Sequence, residues 1–351
     1  MPQEKPMDVM DPANQSDDTP PQSKEEMDEA MRVQRLFRAA YTAKYALDLP
    51  EKWRTFDDYK HGKQGMPENA DDPNSVTNII HPIIESQIAD LIDKNYAVQA
   101  KGHEVSDDLY ATQAQHLLEF VLNRNQFKTK LNLAEHDRLE LGTSIYKIYF
   151  DPDELDGRGL PKIEIVNPAN FFPDPKVQAS HLLQDAEFII HAVPRPLSWF
   201  RKQFPEMGKY VKRQVAVPYD PLIYDGQHSD ESDYLASQRA LCIECYERDE
   251  NGNLFCLTVA NNILLEDTRK TMKGKKIQRR DMYPFVVIPC YVQRGMIWGQ
   301  GDVELLMPIQ DLINELDDQI RINARLMGNP QIAFGAGVGK GFDARKWTAK
   351  P

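Results

Sequence analysis

Two segments of the sequence combine the residue types that bind phosphate or calcium. A phosphate-binding loop has four residues between its first glycine and its Gly-Lys pair, followed by a hydroxyl residue that holds magnesium. In residues 335–341 only three residues stand between them, and Gly341 takes the place of the hydroxyl residue. In residues 151–157, Leu155 and Asp156 stand where a calcium loop needs an oxygen ligand and a glycine. We therefore predict a flexible connection in the first segment and a hairpin turn in the second.

A metal-dependent nuclease is the enzyme class for which the sequence offers candidate ligands. Asp174 and Glu187 could supply two carboxylates to a metal ion, but such a site also needs a lysine two residues after the second carboxylate, to activate water. Ile189 occupies that position. A nuclease is therefore kept as the alternative, and we expect the chain to be no enzyme and to use no cofactor.

Cys242 and Cys245 have the spacing of a zinc or redox pair. The surrounding residues 240–248 have the pattern of a β-strand, in which side chains three positions apart point to opposite faces. Cys256 and Cys290 are too scattered to complete a cluster. The four cysteines are therefore predicted to be structural side chains.

Residues 269–280 are the clearest positively charged stretch, with seven basic residues among twelve. Five of these basic residues form a candidate contact patch: Lys273, Lys275, Lys276, Arg279 and Arg280. Two interpretations remain open, a solvated loop between strands or a contact with DNA or an acidic partner.

The chain as a whole is acidic. Its 351 residues include 54 Asp and Glu against 42 Lys and Arg, a formal net charge of −12. Tight binding of nucleic acid depends on neutralising phosphates, so this charge argues against a DNA clamp but is compatible with a conduit along which DNA slides. The sequence has neither a long apolar run nor a signal peptide, so we expect no membrane span and a cytoplasmic product.

The hydrophobic periodicity changes along the chain. Residues 1–22 are rich in Pro, Asp and Ser and are predicted to be disordered. Helical periodicity extends to about residue 141, and a period of two then predicts strands, two of them joined by a hairpin turn at 249–253. Residues 208–238 are polar and weakly patterned, which predicts a mobile loop. Helices followed by a mostly antiparallel sheet define an α+β fold.

A long amphipathic helix is predicted at residues 301–327, entered through a glycine turn and ended by Gly328-Asn329-Pro330. Because Pro308 falls inside this range, we expect a kink there or a start near Met307. The apolar residues recur with a helical period: Leu305, Ile309, Leu312, Ile313, Leu316 and Ile320.

The opposite face of this helix is polar. It includes Asp311, Glu315 and Asp318, and Ile322 lies in the middle of these polar residues. An isolated isoleucine on a polar face is compatible with ordinary surface exposure, and equally with burial against another molecule.

Four phrases stand in a fixed order along the chain. The first is Trp53-Arg-Thr-Phe-Asp-Asp-Tyr59 with Gly62-Lys-Gln64, and the second is residues 76–91, which begin Val-Thr-Asn-Ile-Ile. The third joins residues 139–152 to residues 166–175, and the fourth is the glycine-entered helix. In this order and spacing the phrases resemble the portal proteins of tailed bacteriophages, through which DNA is packaged into the capsid.

The resemblance implies a division into wing, stem and clip. Residues 23–300 would form an α+β, wing-like domain, residues 301–327 the stem-like helix, and residues 328–351 the start of a clip-like segment. Portal subunits usually continue further, so the resemblance implies a C-terminally truncated portal.

The resemblance also implies partners. It implies a dodecameric ring at one vertex of the virion, with double-stranded DNA passing through it. The implied protein partners are the terminase large subunit, head-completion or adaptor proteins, and the capsid and scaffold proteins. Asp311, Glu315 and Asp318 would face the channel and Ile322 a neighbouring subunit, although the sequence leaves open which face meets the lumen.

Overall fold

A computed structural model shows two antiparallel sheets and a set of helices packed around them. It describes residues 20–64, 76–93, 99–102, 104, 107–213, 239–271 and 282–328. Residues 1–19 of the predicted tail and 214–238 of the predicted loop lie outside these ranges. At the start of that loop, Gly208–Tyr210 form a 3-10 turn and Val211 is buried.

Within the described ranges, five helices precede the first strand. They are α1 (Lys24–Tyr45), α2 (Leu49–Lys60), α3 (Ile80–Asp93), α4 (Asp108–Arg124) and α5 (Phe127–Leu141). Ser23 and Glu26 cap α1 reciprocally, each side chain accepting a hydrogen bond from the other's backbone N–H. Gly142 ends α5 with a left-handed φ of 86°, a conformation that glycine adopts without strain.

In the described part of the chain, eight strands form two antiparallel sheets. The strands are β1 (Thr143–Asp151), β2 (Leu160–Ile165), β3 (Phe171–Pro173), β4 (Phe188–Pro196), β5 (Arg239–Arg248), β6 (Leu254–Ala260), β7 (Ile263–Asp267) and β8 (Phe285–Pro289). One sheet has the order β2-β1-β8 and the other β3-β4-β5-β6-β7. The predicted turn at 249–253 joins β5 to β6, where the N–H of Asp249 donates to the carbonyl of Asn253 at 2.9 Å.

Shorter segments fill the connections, and a long helix ends the described chain. Helix α6 spans Leu197–Gln203, single helical turns cover Glu154–Gly157 and Thr268–Thr271, and 3-10 turns cover Pro168–Asn170 and Ser180–Asp185. Helix α7 spans Asp302–Gly328. It begins at Asp302 rather than near Met307 and runs through Pro308. The α+β prediction, with helices first and a long helix last, is confirmed.

The hydrophobic core lies on both sides of the larger sheet. Helix α1 covers one face of that sheet with Ala30, Val33 and Phe37. Helices α2, α3 and α5, both sheets and the start of α7 share the largest cluster, which includes Trp53 and Val303. The first turn of α7 is thus part of the core, and the rest of the helix extends from it.

The two parts of the core meet at a buried lysine. The ammonium of Lys44 donates hydrogen bonds to the backbone carbonyls of Pro168, Ala169 and Phe171, at 2.5 to 3.0 Å. The same Nζ lies 5.0 Å from the ring centroid of Trp298. Burial lowers the pKa of Lys44, whereas the three carbonyl acceptors favour its charged form. Lys44 therefore ties the end of α1 to the segment before β3.

Candidate functional site

The start of α7 is fixed by glycines in backbone contact. A Cβ on Gly301 would lie 2.6 Å from the carbonyl oxygen of Leu139, and a Cβ on Gly299 would lie 2.7 Å from Cβ of Pro289. The N–H of Gly299 also donates to Oγ1 of Thr143 at 2.8 Å. No larger residue fits at these approaches, so the glycines set where α7 leaves the body.

A buried amide holds the middle of α7. Gln310 has no exposed surface, and its Oε1 accepts a hydrogen bond from the backbone N–H of Ile79 at 2.9 Å. Its Nε2 donates to the carbonyl of Thr77 at 2.8 Å and to Oδ1 of Asn314 at 2.9 Å. Asn314 in turn donates to Oε1 of Gln64 at 2.8 Å. Each polar atom of the Gln310 amide thus has a partner inside the protein.

Two further hydrogen bonds join α7 to helix α2 and to the loop before α3. The hydroxyl of Tyr59 donates to Oδ1 of Asp311 at 2.7 Å, and Oγ1 of Thr77 donates to Oδ2 of Asp317 at 2.6 Å. Burial and the hydrogen bond to Asp311 raise the pKa of Tyr59 to about 12. We call the group Tyr59, Gln64, Thr77 and Ile79 the helix seat. It comes from the first two phrases of the family resemblance.

A cluster of charged groups lies between the helices that carry α7. Lys60 on α2 forms an ion pair with Glu140 on α5, and Glu140 also accepts from Nδ1 of His136 at 2.9 Å. Glu85 on α3 lies 3.8 Å from Lys60. Burial, together with the negative charge of Glu140, raises the pKa of Asp137 to about 7. The pKa of Glu140, three residues further along α5, is lowered. Two neighbouring carboxylates in this cluster therefore have pKa values shifted in opposite directions.

The predicted channel residues lie on one side of α7. At 100° per residue, Asp311, Glu315 and Asp318 fall within about 60° of each other around the helix axis. Glu315 is exposed and accepts a hydrogen bond from Gln319 at 3.2 Å, whereas Asp318 is half-buried. We call these three residues the acidic side. Ile322, the predicted interface residue, lies on the same side and is exposed.

The apolar residues of α7 face away from the protein. Five of them, which we call the apolar stripe, are 45–64% exposed: Leu305, Ile309, Leu312, Leu316 and Ile320. Around the axis, the apolar stripe lies roughly 120° from the acidic side and roughly 120° from Gln310, Asn314 and Asp317, which contact the helix seat. Asp311 lies where the acidic side meets the helix seat. Within the described residues, α7 is therefore held by its first turns in the core and by polar contacts beyond them, while the apolar stripe is uncovered.

The alternative catalytic residues have structural partners. Oδ1 of Asp174 accepts from the N–H of Lys176 at 2.9 Å, and Glu187 forms an ion pair with the ammonium of Lys176 at 2.6 Å.

Cys242 and Cys245 are buried in different hydrophobic clusters, on opposite faces of β5. Among the residues that the structure describes, no three His, Cys, Asp or Glu side chains lie close enough to hold a metal ion.

Of the remaining predicted segments, the turn at 151–157 lies within the described residues, where it joins β1 to β2. In the predicted turn at 151–157, Asp151 and Glu154 form ion pairs with Lys162 at 2.9 and 2.8 Å. The basic patch Lys273, Lys275, Lys276, Arg279 and Arg280 lies outside the described residues, as do residues 329–351.

Sequence reasoning missed Gln310 and Thr77 as functional residues. The signal in the sequence was weak: Gln310 and Asn314 are uncharged amides one helical turn apart, on a side of the helix that is neither acidic nor apolar. An amide pair of this kind is compatible with exposure to water as well as with a buried network, so the pattern alone could not decide.

The described residues thus form an α+β body from which a long helix with an uncovered apolar stripe extends. A family model described as "Phage SU10 portal protein" matches residues 153–345, which are 193 of the 351 residues. The chain therefore belongs to this family of phage portal proteins. No curated protein matches it.

Membership of the family assigns the chain a structural role in a bacteriophage. The family is one of structural proteins rather than enzymes, and it implies a component of the virion that forms an oligomer at the phage head. None of the helices in the described ranges is both long and apolar enough to cross a membrane.

Proposed function

We propose that the chain is the subunit of a dodecameric ring at one capsid vertex, through which double-stranded DNA passes during packaging and ejection. It is made in the host cytoplasm and meets the terminase large subunit, head-completion or adaptor proteins, and the capsid and scaffold proteins. Residues 23–300 act as the wing, residues 301–327 as the stem, and residues 328–351 begin the clip.

The apolar stripe of α7 is the observation that carries this proposal. Burying a leucine or isoleucine side chain contributes about 1.5–3 kcal/mol, and five such residues remain about half exposed or more on a helix fixed to the body along another side. Monomeric soluble proteins rarely expose an apolar surface of this kind, so it favours a binding partner. Packing against a neighbouring subunit would remove it from solvent.

The acidic side supports a role as channel lining. Carboxylates repel the phosphates of DNA, so a lumen lined by Asp311, Glu315 and Asp318 would let DNA slide without holding it. The hydrogen bond from Tyr59 keeps one of these carboxylates in a fixed orientation. The basic patch at 273–280 is proposed as a separate contact with DNA or with an acidic partner.

Leu312→Asp tests the ring proposal. Leu312 is 55% exposed, so the substitution should leave thermal unfolding of the subunit almost unchanged while placing a charge in the subunit interface. We expect sedimentation velocity and negative-stain microscopy to show rings for the wild type and monomers for the variant. Arg321→Asp is the matched control, because Arg321 is exposed about 180° around the helix from Leu312. Rings of Leu312→Asp would contradict the proposal.

We also propose that the chain cleaves no nucleic acid. The carboxylates of Asp174 and Glu187 are engaged with Lys176 and lack a neighbouring catalytic lysine. Incubation of plasmid DNA with the purified chain and Mg²⁺ should leave the DNA intact. Cleavage that EDTA abolishes, and that Asp174→Asn also removes, would establish the nuclease instead.

A further inference from the structure

A second uncovered apolar surface lies on α4. Leu109, Tyr110, Leu117 and Phe120 are 46–69% exposed and fall within about 100° of each other around the helix axis. We call them the α4 face. The opposite side of α4 makes the internal contacts: Oε1 of Gln115 accepts from the N–H of Ala100 at 2.7 Å. Exposed Gln113 lies between the first two and the last two of these residues on the same side, so the face is two apolar pairs around one amide, and large exposed apolar side chains on one side of a helix mark an interaction surface.

The α4 face and the apolar stripe belong to opposite ends of α5. At the start of α5, the Asn125 side chain fixes the end of α4 to β2, through bonds of 2.8 Å to the carbonyl of Pro161 and 3.0 Å to the N–H of Ile163. At the other end, Gly301 places the start of α7 against Leu139. Both surfaces are exposed in the same chain, so neither covers the other.

The charges that border the two surfaces have opposite sign. The acidic side adjoins the apolar stripe on α7. Arg124 lies on the same side of α4 as Leu117; it is exposed, although one of its nitrogens lies 3.9 Å from a carboxylate oxygen of Glu154. Lys128, at the start of α5, is also exposed. Such a pair of rims favours contact between the two surfaces and disfavours contact of the apolar stripe with a second apolar stripe.

We propose that the α4 face of one subunit packs against the apolar stripe of the next. This inference rests on the proposed function, and it names the partner of the apolar stripe as a different surface of a second copy of this chain. A closed ring with a single rotation axis requires each subunit to present two unlike surfaces that fit each other, and the α4 face and the apolar stripe are two such surfaces. The contact would bury the leucines of both helices and bring the basic rim near Glu315, the acidic residue closest to the apolar stripe, while Asp311 and Asp318 stay on the lumen side.

Leu117→Asp in the full chain is the first test. Leu117 is 63% exposed, so the fold should survive, and an unchanged thermal unfolding curve would verify this. We expect the association constant from sedimentation velocity to fall about 30-fold or more, as for other central interface residues. Asn123→Asp adds the same side chain at an exposed position that borders the α4 face beside Leu109, so it should weaken assembly much less than Leu117→Asp.

Mixing two inactive variants is the sharper test. Leu117→Asp keeps an intact apolar stripe, and Leu312→Asp keeps an intact α4 face, so each should be monomeric alone. Together they should form a one-to-one heterodimer that cannot grow, because its two outer surfaces are both disabled.

The outcomes separate this inference from the proposed function. Rings of Leu117→Asp, with Leu312→Asp monomeric, would overturn the role of the α4 face and leave the ring proposal intact. Two monomeric variants that form no heterodimer would also overturn it. A wild-type chain that stays monomeric under all conditions would overturn both.

Discussion

The two halves of α7 are held in opposite ways. Residues 302–317, the anchored half, begin in the core and meet the helix seat through the hydrogen bonds of buried Gln310 and through the more exposed bonds of Asp311 and Asp317. Residues 318–328 extend beyond the helix seat, and Leu326 and Met327 are largely exposed. A helix directed by polar contacts at one end can keep its apolar side free for a partner, because its position in the subunit does not depend on burying that side.

Gly299→Ala should have the largest effect on the anchored half of α7, residues 302–317. The new Cβ would meet Cβ of Pro289 and the backbone of Cys290, which cannot move away without displacing β8. We expect a loss of about 3 kcal/mol or more, seen as a fall in Tm of roughly 6 °C or more.

Gly328→Ala is the matched control at the free end. Among the described residues, a Cβ on Gly328 would meet no atom within 4 Å outside its own stretch of helix, so the Tm of this variant should match the wild type. Equal Tm values for the two alanine variants would show that the glycine contacts do not position α7.

Gln310→Leu should have the next largest effect. It removes the hydrogen-bond partner of the N–H of half-buried Ile79 and of the carbonyl of Thr77, at a cost of about 1–3 kcal/mol in urea unfolding. Gln319→Leu changes an exposed amide on the same helix and should cost less than about 0.5 kcal/mol. A small loss for Gln310→Leu would mean that the apolar contacts alone hold the helix.

Asp137→Asn should stabilise the anchored half in a pH-dependent way. The folded pKa of about 7 lies above the usual value of 3.8, so protonated Asp137 contributes stability that is present below about pH 4 and is lost as the pH rises to 7. The facing groups Lys60, Glu140 and His136 remain in the variant. The Tm gain of the variant over the wild type should grow between pH 4 and pH 7. A gain independent of pH would contradict the raised pKa.

Ile322→Asp should have the smallest effect on the folded subunit. Ile322 is exposed in residues 318–328, the free half of α7, so Tm should change by less than about 1 °C. If this residue meets a neighbouring subunit, as the sequence predicts, assembly measured by sedimentation velocity should weaken less than it does for Leu312→Asp. Asp318→Asn should alter neither quantity. Normal assembly of Ile322→Asp would restrict the interface to the apolar stripe.

Local features of the fold were predictable because they depend on neighbouring residues. The capping box at Ser23, the glycine end of α5 and the turn at 249–253 need only short-range hydrogen bonds and backbone conformations. The long helix predicted at 301–327 is confirmed; of the two alternatives at Pro308, a kink or a start near Met307, the second was wrong, since the helix begins at Asp302. Packing of the first turn into the core offsets the hydrogen bond that Pro308 cannot make.

By itself the sequence determined the order of the elements, the α+β class and the amphipathic pattern of α7, since these follow from periodicity and capping. Only the tertiary structure decided which side of α7 faces the protein. That choice depends on Gln64, Thr77 and Ile79, which lie more than 200 positions from their partners on α7. Hydrophobic periodicity records which side of a helix is apolar, but it contains no record of distant polar groups that can satisfy a buried amide.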